Sequence, residues 1–162
     1  MTHKDDAPRP DQYQSLKLSG AYVLFVRDKS GSIINFRRGK NLVTSAAETL
    51  VAKLLDYQGA EDGPEYLEFG SGNQGALKSD TQLQTVIATQ AREAASGSTA
   101  LSNTLALIFS VTVSASYTVK EMGIFNAAAA GTMFSRFLTQ DLTVKATDVI
   151  DLTWTLTILG VD

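Results

Sequence analysis

Apolar and polar residues alternate over long stretches of this chain. Leu105, Leu107, Phe109, Val111 and Val113 are separated by Ala106, Ile108, Ser110 and Thr112. A period of two with one apolar face is what a strand half-buried in a sheet requires. The same period returns near the end, where Ile150, Leu152, Trp154, Leu156 and Ile158 alternate with Asp151, Thr153, Thr155 and Thr157. A threonine row opposite an aromatic and aliphatic row predicts an antiparallel strand with one face toward water. Upstream, Ala21–Val26 reads as a strand apolar on both faces, Asp28–Gly31 as a turn and Ser32–Phe36 as the return strand of a hairpin. Further short strands are predicted at Tyr66–Phe69, Thr118–Phe125 and Thr132–Phe137, with Asn126–Gly131 as a loop. Gln82–Arg92 is ambiguous between strand and helix, and Ala95–Ala100 reads as a loop of small residues.

One helix stands out. Ser45-Ala46-Ala47-Glu48 has the form of a capping box, and Ala47, Leu50, Val51, Leu54 and Leu55 follow on one face at helical spacing. Asp56–Gly63 ends it, and its expected job is to cover a sheet. Together these elements predict an α+β, mainly β fold: an antiparallel β-sandwich-like domain with one amphipathic helix. Residues 1–18 are polar and hold Pro8 and Pro10, which predicts an extended N-terminal arm. Arg9, Tyr13, Leu16 and Leu18 are its candidate partner-binding residues. Residues 19–162 form a single β-rich domain, with the hairpin over 19–40 ahead of the remainder.

Composition narrows the chemistry. The 162 residues suit one domain with an arm, and 44% of them are apolar. There is no cysteine and one histidine, His3. That inventory leaves no thiolate nucleophile, no cysteine metal site and no histidine-based triad spread through the fold. A net charge of -3 argues against broad nucleic-acid binding. The compact basic cluster Arg37, Arg38 and Lys40 reads as a solvated hairpin end. Apolar stretches are broken well before the roughly 20 residues of a spanning helix, so no membrane partner is expected. The first residues, Met1 to Asp6, lack the apolar core of a signal peptide, which points to assembly in a cytoplasm.

Motif-like spacings carry little chemistry. Gly70–Gly75 matches G-x-G-x-x-G by letter, but no helix is predicted behind it, so its glycines are read as letting a loop turn sharply. The carboxylate pairs Asp5/Asp6 and Glu61/Asp62 lie in polar segments, and Glu61, Asp62 and Glu65 match no calcium loop. No catalytic residue, metal or cofactor is expected, and the chain is read as no enzyme. Glu121 interrupts an otherwise apolar strand. It is expected to face the core and pair with Arg92 or Arg136, fixing register, while Trp154 is expected to be a buried structural aromatic.

The order of several short motifs resembles that of the bacteriophage tail-collar and tail-fibre family. They are Asn41-Leu42-Val43-Thr44, Tyr66–Gly72, Asp80–Leu83, Arg92, Val119–Asn126, Gly131–Arg136 and Leu152–Ile158. Members tend to carry N-x-V-T, G-x-G, an I-R-E-I-G-L-F-D strand and a terminal W-x-I-x-I strand. The resemblance covers residues 41–158, with Lys120 where the family has arginine and with residues 1–40 added in front. It implies a virion structural protein, a tail, collar or fibre-attachment subunit that docks to other virion proteins as a homo-oligomer, with a trimer favoured. A capsid decoration protein is the alternative, and a receptor- or glycan-binding fibre module that meets the host surface is a third.

Overall fold

The computed structural model describes residues 17–55 and 62–159. Nine strands and one helix follow in the order β1 Lys17–Arg27, β2 Ile33–Val43, α1 Ser45–Leu55, β3 Tyr66–Gly70, β4 Glu93–Ala94, β5 Gly97–Leu101, β6 Thr104–Thr112, β7 Tyr117–Phe125, β8 Met133–Val144 and β9 Val149–Leu159. All pairings are antiparallel, in the order β4-β3-β7-β8-β2-β1-β9-β6-β5. The expected mainly-β fold with one helix is therefore the observed one, built as a single curled sheet.

β2 makes the curl. Between Gly20 and Arg27, β1 pairs with β2 from Asn41 back to Ile33, whereas β8 meets β2 only at Leu42 and Val43, through Arg136 and Ser135. A strand shared this way turns the corner between two packed layers. One layer is β5-β6-β9-β1-β2, and the other is β4-β3-β7-β8. Their inner faces meet through aromatic contacts. Tyr22 stacks on Phe137 at 4.5 Å, and Phe134 meets the edge of Trp154 at 5.8 Å. The predicted alternation explains who lies inside: Leu107, Phe109 and Val111 of β6 and Ile150, Leu152 and Trp154 of β9 are all buried. Asn41, with its amide turned to suit its neighbours, accepts from the Trp154 indole N–H and donates to Gly20 O. Gly20 is required there, because a Cβ would overlap the Asn41 side chain.

Several local expectations change. The helix cap is Thr44, one residue earlier than the predicted box. Its hydroxyl accepts from Ala47 N at 3.1 Å and donates to Met133 O at 2.6 Å, so one side chain both caps α1 and ties it to β8. Glu48 does not reach back; it pairs with Lys78. Arg37, Arg38 and Lys40 are not a hairpin end, because β2 continues through them to Val43. Gly97–Leu101 is a strand where a loop was expected, because pairing with β6 outweighs the weak propensity of small residues. The arm boundary moves as well. Leu18 belongs to β1 and packs against the chain's own core, so it is not a free partner contact. Arg9, Tyr13 and Leu16 lie outside the described residues, as does the predicted helix ending at 56–61.

Two outcomes test this packing. Trp154→Ala empties the centre of the interlayer contact and should cost roughly 3–5 kcal/mol in urea denaturation; an unchanged midpoint would place the indole outside the core. Thr147 holds φ at 75°, a left-handed conformation that a β-branched residue adopts under strain. Thr147→Gly should therefore stabilise the fold by about 0.5–1 kcal/mol, and a loss of stability would contradict that reading.

Candidate interaction surface

The two outer faces of the folded sheet differ. On the β3-β7-β8 side the face is sealed by the chain itself. The β7–β8 ladder is irregular between Val119 and Glu121, where the single residue Lys120 of β7 stands against three residues of β8, Thr139, Gln140 and Asp141. Such a bulge re-aims the side chains beyond it. Val119, Met122 and Ile124 consequently point into the interlayer core, and Glu121 points to the opposite face, fully buried. Glu121 thus faces away from the main core, under the loop 71–85.

There its carboxylate is surrounded by donors. It accepts from Gly72 N at 3.0 Å, Thr85 N at 2.9 Å, Gln84 N at 3.2 Å and the Arg136 guanidinium at 2.8 Å. Arg136, rather than Arg92, is its partner. Arg136 also donates to Asp80 Oδ2 at 2.7 Å and to Gln74 O at 3.0 Å. Burial pulls the Arg136 pKa down, but the hydrogen bonds to Asp80 and Glu121 outweigh it and leave it raised. The glycines of the G-x-G stretch serve this approach and not a turn. A Cβ on Gly70 would lie 2.6 Å from the Glu121 side chain, and one on Gly72 only 2.4 Å from Oε1. Leu83 completes the seal by packing with Phe125 and Met133.

A second guanidinium pins the neighbouring loop. Arg92 pairs with Glu68 at 3.0 Å, donates to Ala127 O and Ala130 O, and lies 3.6 Å over the Phe125 ring. The two carboxylates of the surface hollow lined by Asp28, Lys29, Lys145 and Asp148 are likewise occupied: Asp28 accepts from Ser30 N and Ser32 N, and Asp148 from Lys145 N. Among the described residues no three His, Asp or Glu side chains gather as a metal-binding group.

The outer face of the β5-β6-β9-β1-β2 layer is left bare by the described residues. Register aligns Ile108, Thr153, Val23 and Arg38 in one row, and Ser110, Asp151, Phe25 and Phe36 in the next. Val23, Phe25, Phe36 and Ile108 are 39%, 36%, 46% and 44% exposed, and the Phe25 and Phe36 rings lie 5.1 Å apart. Each row is half apolar: Val23, Phe25 and Phe36 adjoin one another on β1 and β2, and Ile108 lies beyond Thr153 on β6. The face carries the ion pair Arg27–Asp151, with Ser110 Oγ donating to the same carboxylate at 2.8 Å.

Of the sequence-predicted partner residues only Leu18 is described, in β1 against the core, and Arg9, Tyr13 and Leu16 lie outside the described residues. The surface residues Val23, Phe25, Phe36 and Ile108 were missed as a site. Their signal was present in the two-sided apolar pattern of 21–26, which a half-exposed strand does not need. Comparison with family models, with characterised proteins and with solved structures returned no match to this chain.

Two measurements follow. Glu121→Ala leaves Arg136 with the Asp80 carboxylate alone and strips three loop amides of their acceptor; it should cost about 3–5 kcal/mol, with the loop 71–85 becoming the first site of proteolysis. A change below 1 kcal/mol would show the cluster to be dispensable. The hydrogen bond from Arg27 holds the Asp151 pKa below its ordinary value, burial opposes this, and the Ser110 hydroxyl assists. A depressed folded pKa contributes stability above the unfolded value of about 3.9 that is lost as pH falls through the folded one. Asp151→Asn should therefore lose less stability than wild type between pH 5 and 2; parallel acid profiles would refute the linkage.

Proposed function

We propose that this chain is a structural subunit of a bacteriophage particle, a tail, collar or fibre-attachment component that acts by docking and not by catalysis. The observation that carries the reading is the asymmetry of the two outer faces. The chain uses two arginine-centred clusters to fasten its own loops over one face. The other face keeps Val23, Phe25, Phe36 and Ile108 exposed. Large apolar groups held in solvent on a rigid sheet suit a subunit whose neighbours complete its burial. The motif order from Asn41 to Ile158, which resembles the tail-collar and tail-fibre family, supports a virion as the setting.

The polar residues support the same reading. The buried pair Glu121 and Arg136 is consumed in holding a loop, and on the bare face Arg27 pairs with Asp151. The rigid layer supplies a shape, and the exposed rows supply area for other virion proteins.

Mass spectrometry of purified particles should find the chain in stoichiometric amount, and antibody labelling should decorate the tail or its attachment site. Absence from particles sinks the virion reading, and labelling over the whole shell moves the chain to the capsid surface. Val23→Glu with Ile108→Glu should leave the melting temperature within a few degrees of wild type yet abolish incorporation. Normal incorporation would show that this face is not the docking surface.

A further inference from the structure

β2 has an unfilled edge. From Ile33 to Asn41 one side of the strand is paired with β1, but β8 pairs only with Leu42 and Val43 on the other. Ile33–Lys40 thus offers a row of main-chain groups with no strand beside it among the described residues. Such an edge is a template for an added strand. Its side chains also depart from the usual pattern, since Ile33 and Ile34 are 63% and 53% exposed. Charge marks it further. Ile33–Val43 carries Arg37, Arg38 and Lys40 and no acidic residue. Among the described residues these three cations have no carboxylate partner, and Arg37 is left with Asn35 Oδ1 and Phe36 O. Arg27, Lys78, Arg92, Lys120 and Arg136 are each paired.

We propose that this edge takes residues 1–16 of a second copy of the chain as an added strand. Asp5, Asp6 and Asp11 of that segment outnumber its cations Lys4 and Arg9 and supply carboxylates for Arg37, Arg38 and Lys40, and Tyr13 supplies an aromatic for the exposed Phe36. Pro8 and Pro10 are two apart, so in a strand their missing N–H groups fall on one edge. The other edge keeps its donors for β2, and the proline edge is blunted, so pairing stops after one added strand. Geometry selects a second copy over the same one. The segment joins β1 at Lys17, at the end of the sheet where β2 finishes, and β8 already fills the lane beside Leu42 and Val43. Reaching its own edge requires a reversal around that end, whereas a neighbour's edge is reached by extension. Sixteen extended residues span up to about 55 Å, against about 26 Å for the eight-residue edge. The inference stands on β2 and the segment's composition and does not rest on the virion reading.

Sedimentation of the full chain tests it. Wild type should self-associate in a salt-sensitive manner. Arg38→Asp with Lys40→Asp should weaken association at least about tenfold, and so should Asp5→Lys with Asp6→Lys and Asp11→Lys, each alone. Mixing the two reversed chains should restore association, because each supplies the charge the other lacks. The absence of cysteine allows a second readout that survives if the β2 variant fails to fold. Chains bearing Gln12→Cys and differently sized chains bearing Ile34→Cys should form a mixed disulfide, well above the yield with Leu101→Cys on the far edge. A monomer at all concentrations, association indifferent to the charge reversals, or equal cross-linking at position 101 would overturn the proposal.

Discussion

The Glu121–Arg136 pair decides which surfaces of this protein are available. A carboxylate and a guanidinium taken out of water are costly unless every hydrogen-bonding position is used. Here both are saturated, by three loop amides on one side and by Asp80 and loop carbonyls on the other. The pair is therefore less a source of net stability than a specificity device. It ties the segment from Gly70 to Thr85, which lacks regular secondary structure beyond the Gly70–Val86 bridge, onto the outer face of β7 and β8. With that face closed, it is Val23, Phe25, Phe36 and Ile108 on the opposite layer that stay exposed among the described residues.

The pair depends in turn on two backbone features. The break in the β7–β8 ladder, Lys120 against Thr139–Asp141, places Glu121 on the face opposite Val119, although both numbers are odd and an unbroken strand would keep them together. Gly70 and Gly72 then let the loop approach the carboxylate more closely than any Cβ allows. The corner strand β2 is the other constraint. Because it spends Leu42 and Val43 on β8 and Ile33–Asn41 on β1, it joins the layers at one end and, among the described residues, leaves its own edge without a strand at the other.

Much of the fold was legible in the sequence for a physical reason. The alternation in β6 and β9 reports burial on one side of a sheet, and those strands lie at the centre of a layer where that rule holds best. Edges were harder to read. β5 carries small residues and forms because β6 pairs with it, which no local pattern announces. The capping residue was misplaced by one position because Ser45 and Thr44 are both good caps, and the choice is made by Met133 O across the sheet. Of the polar cluster, Glu121 was legible as half of an ion pair with Arg92 or Arg136, since a charge inside an apolar strand needs a partner, and the structure selects Arg136. Their orientation was not, because a bulge has no reliable signature in a single chain. The bare face was visible only as an excess of apolar residues in 21–26.

The central claim is that Glu121 holds the loop as part of the folded body. Native-state hydrogen exchange at the amides of Gly72, Gln84 and Thr85 tests it most directly, because these three donors share the one carboxylate. The account predicts that they exchange slowly and together in wild type, and that Glu121→Gln accelerates all three while the β9 amides at the centre of the other layer stay protected. Fast exchange of these amides in wild type, at the rate of an exposed loop, would contradict it.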